Sequence, residues 1–219
     1  MAKNQPLRSQ IYLVAEPGLD PDILGQTLDA GPIACVLLRS AGVGNDDLRA
    51  AIAALRPIAQ QREVAFLVEN QAELVSETGC DGVHLSEDRW TVKKAREVVG
   101  TDVIVGIYCG ASRHAAMAAA EAGADYVALG GGAAERWWEK AADPEILTWW
   151  QAIMTAPCVA IVGDDLQTVG EMAAAGADFV AVGSCIWSHR GGPDAAIREV
   201  LGMLGGGESD SNASHAKDV

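Results

Sequence analysis

Gly79-Cys80-Asp81-Gly82-Val83-His84-Leu85, Gly123-Ala124-Asp125-Tyr126-Val127-Ala128-Leu129 and Gly176-Ala177-Asp178-Phe179-Val180-Ala181-Val182 are three versions of one phrase. In each, a Gly follows a helical run and ends it in the left-handed conformation, a small residue and Asp make the turn, and a short apolar run begins. The phrase reads as helix end, tight loop, buried strand. Its copies start 44 residues apart (79 to 123) and 53 residues apart (123 to 176), each interval holding two strand–helix units and the pair too unequal for a solenoid.

Working outward from these copies, eight short apolar strands are predicted: Gln10 to Val14, Cys35 to Leu38, Ala65 to Val68, Gly82 to Leu85, Ile104 to Tyr108, Tyr126 to Leu129, Cys158 to Ile161 and Phe179 to Val182. Helical stretches fall between and after them, near Asp22 to Ala30, Asp46 to Gln61, Gln71 to Thr78, Thr91 to Val99, Ser112 to Ala122, Pro144 to Met154, Thr168 to Ala175 and Pro193 to Leu204. Near-continuous apolar strands alternating with amphipathic helices call for a parallel sheet covered by helices. Eight such units predict an α/β fold of (β/α)8 TIM-barrel type, a single domain over residues 10–204. Residues 1–9 are then an N-terminal extension, and the Gly-, Ser-, Asp- and Asn-rich residues 205–219 a disordered tail. An open doubly wound sheet is the competing arrangement, but the run Gly130-Gly131-Gly132-Ala133-Ala134-Glu135 does not continue as the GxGxxG fingerprint.

The chain has 219 residues, 49% of them apolar, enough for a sizeable core. Its 16 Lys and Arg stand against 30 Asp and Glu, a net charge of -14 with no basic cluster. That balance disfavours nucleic acid and anionic membranes as partners. No apolar stretch is long enough to span a bilayer, and the start lacks the apolar segment of a signal peptide. Five scattered cysteines without a CxxC pair read as reduced core residues of a cytoplasmic protein.

A barrel of this kind carries its active site at the carboxyl ends of the strands. Gly163 after strand seven, and Gly183 with Ser184 after strand eight, offer backbone N–H groups and a hydroxyl to a phosphate, or simply make turns; Asp164 and Asp165 oppose an anion there. Arg39 after strand two is a solvated rim charge or an anion clamp. Glu69-Asn70 after strand three and Glu87-Asp88 after strand four are solvated loop charges or oxygen ligands for Mg2+. His84 is expected to line the barrel, hydrogen-bonded, and Cys109 ends strand five with no His beside it to activate a thiol. Trp137 and Trp138 lie in an exposed loop with Arg136, Glu139 and Lys140, to stack on a planar ligand or to cap the barrel.

Taken together, Ile11-Tyr12-Leu13-Val14, Cys80 to Leu85, Ala122 to Val127 and Ala175 to Val182 with Ser184 resemble the signature of the thiamine phosphate synthase family and its thiazole tautomerase relatives, over nearly the whole barrel. The resemblance implies a transferase joining a hydroxymethylpyrimidine diphosphate to a thiazole phosphate with release of pyrophosphate, and it implies Mg2+. It puts Arg39 and Lys140 on the diphosphate, Tyr108, Trp137 and Trp138 beside the substrates, Gly163, Gly183 and Ser184 on the thiazole phosphate, and Glu69, Asn70 and Asp88 on the metal. Several family residues are replaced. Gln-Leu-Arg-x-Lys reads Leu37-Leu38-Arg39-Ser40-Ala41, Asn-Asp-Arg reads Glu69-Asn70-Gln71, a metal-binding Asp aligns with Arg89 unless a one-residue shift lets Asp88 serve, a Ser aligns with Tyr108, and Thr-Ser-Thr-Lys with Glu135-Arg136-Trp137-Trp138. Two functions stay open: a synthase-like enzyme with a degenerate active site, and a non-catalytic or re-purposed paralogue binding a phosphorylated or planar small molecule.

Overall fold

The computed structural model describes residues 9–40, 42–87, 89–133 and 136–205. The three-copy phrase sets its skeleton. Gly79, Gly123 and Gly176 take φ values of 68°, 89° and 100°, the left-handed region where a side chain is strained. The Asp of each copy does more than turn the chain. Asp81 accepts the backbone N–H of Phe66 at 2.7 Å, Asp125 that of Val105 at 2.7 Å, and Asp178 that of Cys158 at 2.8 Å. Each carboxylate thereby pins the start of the preceding strand to the start of its own. Gln60, Arg96 and Gln151 bind the same three carboxylates from the helices.

All eight predicted strands form: β1 (Gln10–Ala15), β2 (Cys35–Leu38), β3 (Ala65–Glu69), β4 (Gly82–Leu85), β5 (Ile104–Tyr108), β6 (Tyr126–Leu129), β7 (Cys158–Ile161) and β8 (Phe179–Val182). They pair in parallel in chain order, and β8 closes on β1. The helices are α1 (Pro21–Asp29), α2 (Asn45–Gln60), α3 (Ala72–Thr78), α4 (Val92–Val99), α5 (Arg113–Glu121), α6 (Pro144–Ile153), α7 (Thr168–Ala174), α8 (Ser184–Trp187) and α9 (Pro193–Gly205). Asp20 and Asp143 cap α1 and α6 just ahead of a proline, and Thr91 and Ser112 cap α4 and α5, satisfying N–H groups that the first turn leaves unpaired. The short α8 is not among the predicted helices, because a single turn leaves no periodicity to read. The expected extension and tail fall almost wholly outside the described residues; within them, Ser9 bonds the Ala177 carbonyl and Gly205 ends α9.

Alternate strand residues point inward and outward. Tyr12, Val14, Leu37, Leu67, Tyr126 and Ile161 belong to the cluster filling the barrel, whereas Ile11, Leu13, Val36 and Leu38 pack under the helices. His84, Gly106 and Tyr126 stand side by side in register on β4, β5 and β6. A Cβ at position 106 would fall inside the Tyr126 ring, so the glycine is what lets that ring reach across. The result is a buried chain in which Tyr126 Oη lies 2.8 Å from Tyr12 Oη and 2.9 Å from His84 Nδ1. His84 is the hydrogen-bonded barrel residue expected from its place in the sequence.

Candidate active site

Glu69 ends β3 at the carboxyl-terminal mouth of the barrel, beside His84 in register and only 2% exposed. Four groups converge on its carboxylate. Oε2 accepts the Ser40 N–H at 3.0 Å and lies 3.9 Å from Arg39 Nε; Oε1 accepts the Trp137 indole N–H at 2.6 Å and the Ser86 hydroxyl at 3.1 Å. Loops after β2, β3, β4 and β6 are thus tied to one buried charge. A carboxylate so deep is tolerable only because each oxygen is met by a donor.

Arg39 is not a solvated rim charge. It is 8% exposed, its Nη1 bonds Glu16 Oε1 at 2.5 Å, and its Cζ lies 3.1 Å from the centre of the Trp138 ring. Asn70, at φ 53°, serves the loops: its Oδ1 accepts the N–H groups of Ser86 at 2.8 Å and Glu87 at 3.3 Å, its Nδ2 donates to Ser86 Oγ, and its carbonyl accepts the Trp90 indole N–H.

The loop after β6 corrects one expectation. Trp137, read as an exposed-loop aromatic, is fully buried; its ring centre lies 4.6 Å from that of His84 and 5.8 Å from that of Tyr108. Trp138 is half-buried, edge-on to Trp137 at 6.0 Å. Tyr108 donates its hydroxyl to the Gly132 carbonyl at 2.7 Å. Lys140 is exposed, its stem lying over Gly131.

On the opposite rim, Gly163 and Gly183 stand after β7 and β8 as expected, and Ser184 opens α8. The Ser184 hydroxyl donates to Asp164 Oδ1. The acidic residue judged unfavourable for an anion therefore occupies the hydroxyl expected to hold one.

Burial sets the protonation states. The His84 imidazole is pushed down to about 4, the Glu69 charge pulling the other way, so the ring is neutral at pH 7. Burial raises the Tyr108 phenol to about 12, despite its bond to Gly132, and the Cys109 thiol to about 12. All five cysteines are buried and unbridged. A nucleophilic Cys109 is therefore disfavoured on its own chemistry.

Residues 11–186 match the family described as thiamine monophosphate synthase. The chain belongs to this family. It is 43% identical over 205 residues to a thiamine-phosphate synthase of Rhodospirillum centenum, covering 90% of this chain and 98% of that one. It is 41% identical over 203 residues to a thiamine-phosphate synthase of Hyphomonas neptunium, covering 87% and 91%. Its fold is similar to that of a thiamine phosphate pyrophosphorylase from Pyrococcus furiosus, with a TM-score of 0.78 at 20% identity over 91% of this chain and 96% of that one.

The thiamine phosphate synthase resemblance implies magnesium on Glu69, Asn70 and Asp88, of which the first two are described. Glu69 and Asn70 turn their oxygens to internal N–H and O–H groups, and Asp88 lies outside the described residues. Among the described residues no three His, Cys, Asp or Glu side chains converge on a cation position. Sequence reasoning missed Glu16 and Ser86. Glu16 directly follows β1, a position open to the same strand-end rule that found Arg39; Ser86 gave no signal beyond a small polar residue after β4.

Proposed function

We propose that the protein is a thiamine phosphate synthase-like transferase that joins a hydroxymethylpyrimidine diphosphate to a thiazole phosphate and releases pyrophosphate. The observation that carries this reading is the match of the whole barrel to synthases along almost their full length, 98% for the Rhodospirillum centenum protein. In the reaction the bond between the pyrimidine methylene carbon and the diphosphate oxygen breaks, and the thiazole nitrogen lone pair forms the new C–N bond. Charge accumulating on the leaving oxygen needs cations in place beforehand. Arg39, held by Glu16 and Trp138, and Lys140 on the exposed part of the β6 loop are the groups we assign to that task. Gly163, Gly183 and Ser184 are assigned to the thiazole phosphate, and Tyr108 with Trp138 to the ring substrates. No step is assigned to a metal ion.

The same reading puts the protein in the cytoplasm, consistent with five unbridged cysteines, and takes phosphorylated small molecules as its ligands. No described helix is long and apolar enough to cross a membrane. One observation favours the second reading, a re-purposed paralogue: the Asp164 carboxylate on Ser184 raises the cost of a phosphate dianion at that rim. A coupled assay of pyrophosphate release, with each substrate omitted in turn, separates the two. Release that requires both substrates supports the transferase; no release from folded protein supports the paralogue.

A further inference from the structure

Arg39 meets two carboxylates of opposite character. On its inner edge Glu69 lies 3.9 Å from Nε, 2% exposed and already bonded to the Ser40 and Trp137 N–H groups and the Ser86 hydroxyl. It cannot leave without stranding those buried donors. On the outer edge Glu16 Oε1 accepts from Nη1 at 2.5 Å, but the Glu16 side chain is 58% exposed, and its carboxylate has no other partner among the described residues. The Glu16 carbonyl is tied by the Leu19 N–H, so the backbone stays put while the side chain is free to swing into water. Two donors of Arg39 are left over. Nε is buried without a hydrogen-bond partner in a side chain more than nine-tenths buried, and Nη2 donates to nothing among the described residues. Trp138 covers a face of the guanidinium, its ring centre 3.1 Å from Cζ, which directs oxygen ligands to the edges of the plane.

We infer that Glu16 is a built-in competitor for the outer edge of Arg39: it holds the place of a diphosphate oxygen while the site is empty and is displaced when the anion binds. That the anion is a diphosphate rests on the transferase reading; the competition rests on the geometry. A guanidinium between two carboxylates is more than neutralised, so an incoming anion meets repulsion until one of them moves away. Glu69 is locked and Glu16 is not, which decides the one that goes. Glu16 is also the weaker claimant, because its single contact to Nη1 leaves Nη2 unused, whereas two diphosphate oxygens bridge Nη1 and Nη2 as a fork. In the empty site the same contact keeps a buried cation from standing half-paired.

The test is calorimetric titration of the full chain with inorganic pyrophosphate, with magnesium present and again without it, and it needs no turnover. Glu16→Gln changes an exposed side chain, and a cooperative melt verifies its fold. This variant should bind pyrophosphate about tenfold tighter than wild type, the gain expected when the binding-competent form rises from about a tenth of the molecules to nearly all. Glu16→Ala, which leaves no group to bond Nη1, should gain at least as much. Glu139→Gln removes a carboxylate paired with Arg136 in the β6 loop and controls for a general fall in negative charge; it should stay within about twofold of wild type. Equal or weaker binding by both Glu16 variants overturns the inference and makes Glu16 a brace for Arg39. An equal gain in Glu139→Gln overturns it as bulk electrostatics, and no binding by any variant at millimolar pyrophosphate overturns it by removing the anion site. Tighter binding by Glu16→Gln without pyrophosphate release from the two substrates keeps the competitor and removes the transferase reading. Release from both substrates with unchanged affinity in Glu16→Gln removes the competitor alone.

Discussion

Glu69 and His84 carry the residue-scale consequences of this site. In Glu69→Gln an amide NH2 must face either the Trp137 and Ser86 donors or the Ser40 N–H, so a buried donor meets a donor. The expected cost is about 2–3 kcal/mol of stability, read from urea unfolding, with tryptophan emission shifting red as Trp137 loosens. His84 gives a pH dependence of definite sign. Its folded pKa of about 4 lies below the ordinary 6.5, so the unfolded chain binds the extra proton and stability is lost as pH falls from about 6.5 toward 4. Unfolding curves at pH 7, 6 and 5 should show wild type weakening by more than His84→Asn does; parallel losses would show that the slope comes from other groups. Glu69 itself was legible only as a strand-end acid. Which donors it meets depends on Trp137, 68 positions away, and no local pattern encodes that contact.

At the scale of the element, the three-copy phrase joins each strand to the one before it. Its glycines were readable because a left-handed φ demands them, and its strands because apolar runs of four or five residues must be buried. Its aspartates read only as turn formers, yet each bonds the preceding strand through a contact 15 to 20 residues back in the chain. Asp81→Ala, Asp125→Ala and Asp178→Ala should each cost about 1–3 kcal/mol, since a half-buried strand N–H loses a charged acceptor. Thermal melts check this, and a variant as stable as wild type would make the repeated Asp a turn residue after all. The β6 loop was the least legible element. Its Trp-Trp pair looked exposed because the surrounding Arg136, Glu139 and Lys140 are polar, and only the closed barrel shows that one ring turns inward.

For the whole molecule, the net charge of -14 was legible at once, and the direction of its charges was not. Several of its acidic groups fall at strand ends, around the mouth of the barrel. Glu69, however, spends its charge on internal donors and on Arg39, whereas Asp164 does stand on the rim proposed for phosphate. Carboxylate repulsion of a phosphate therefore falls on the Asp164 side of the barrel mouth. The most direct test of the transferase function is a single-turnover experiment with both substrates at millimolar concentration, quantifying pyrophosphate and thiamine phosphate together. The account predicts that the two products appear in equal amounts, only when both substrates are present, and that Arg39→Gln slows their formation by about a hundredfold. Absence of both products from folded protein that binds thiazole phosphate would contradict it.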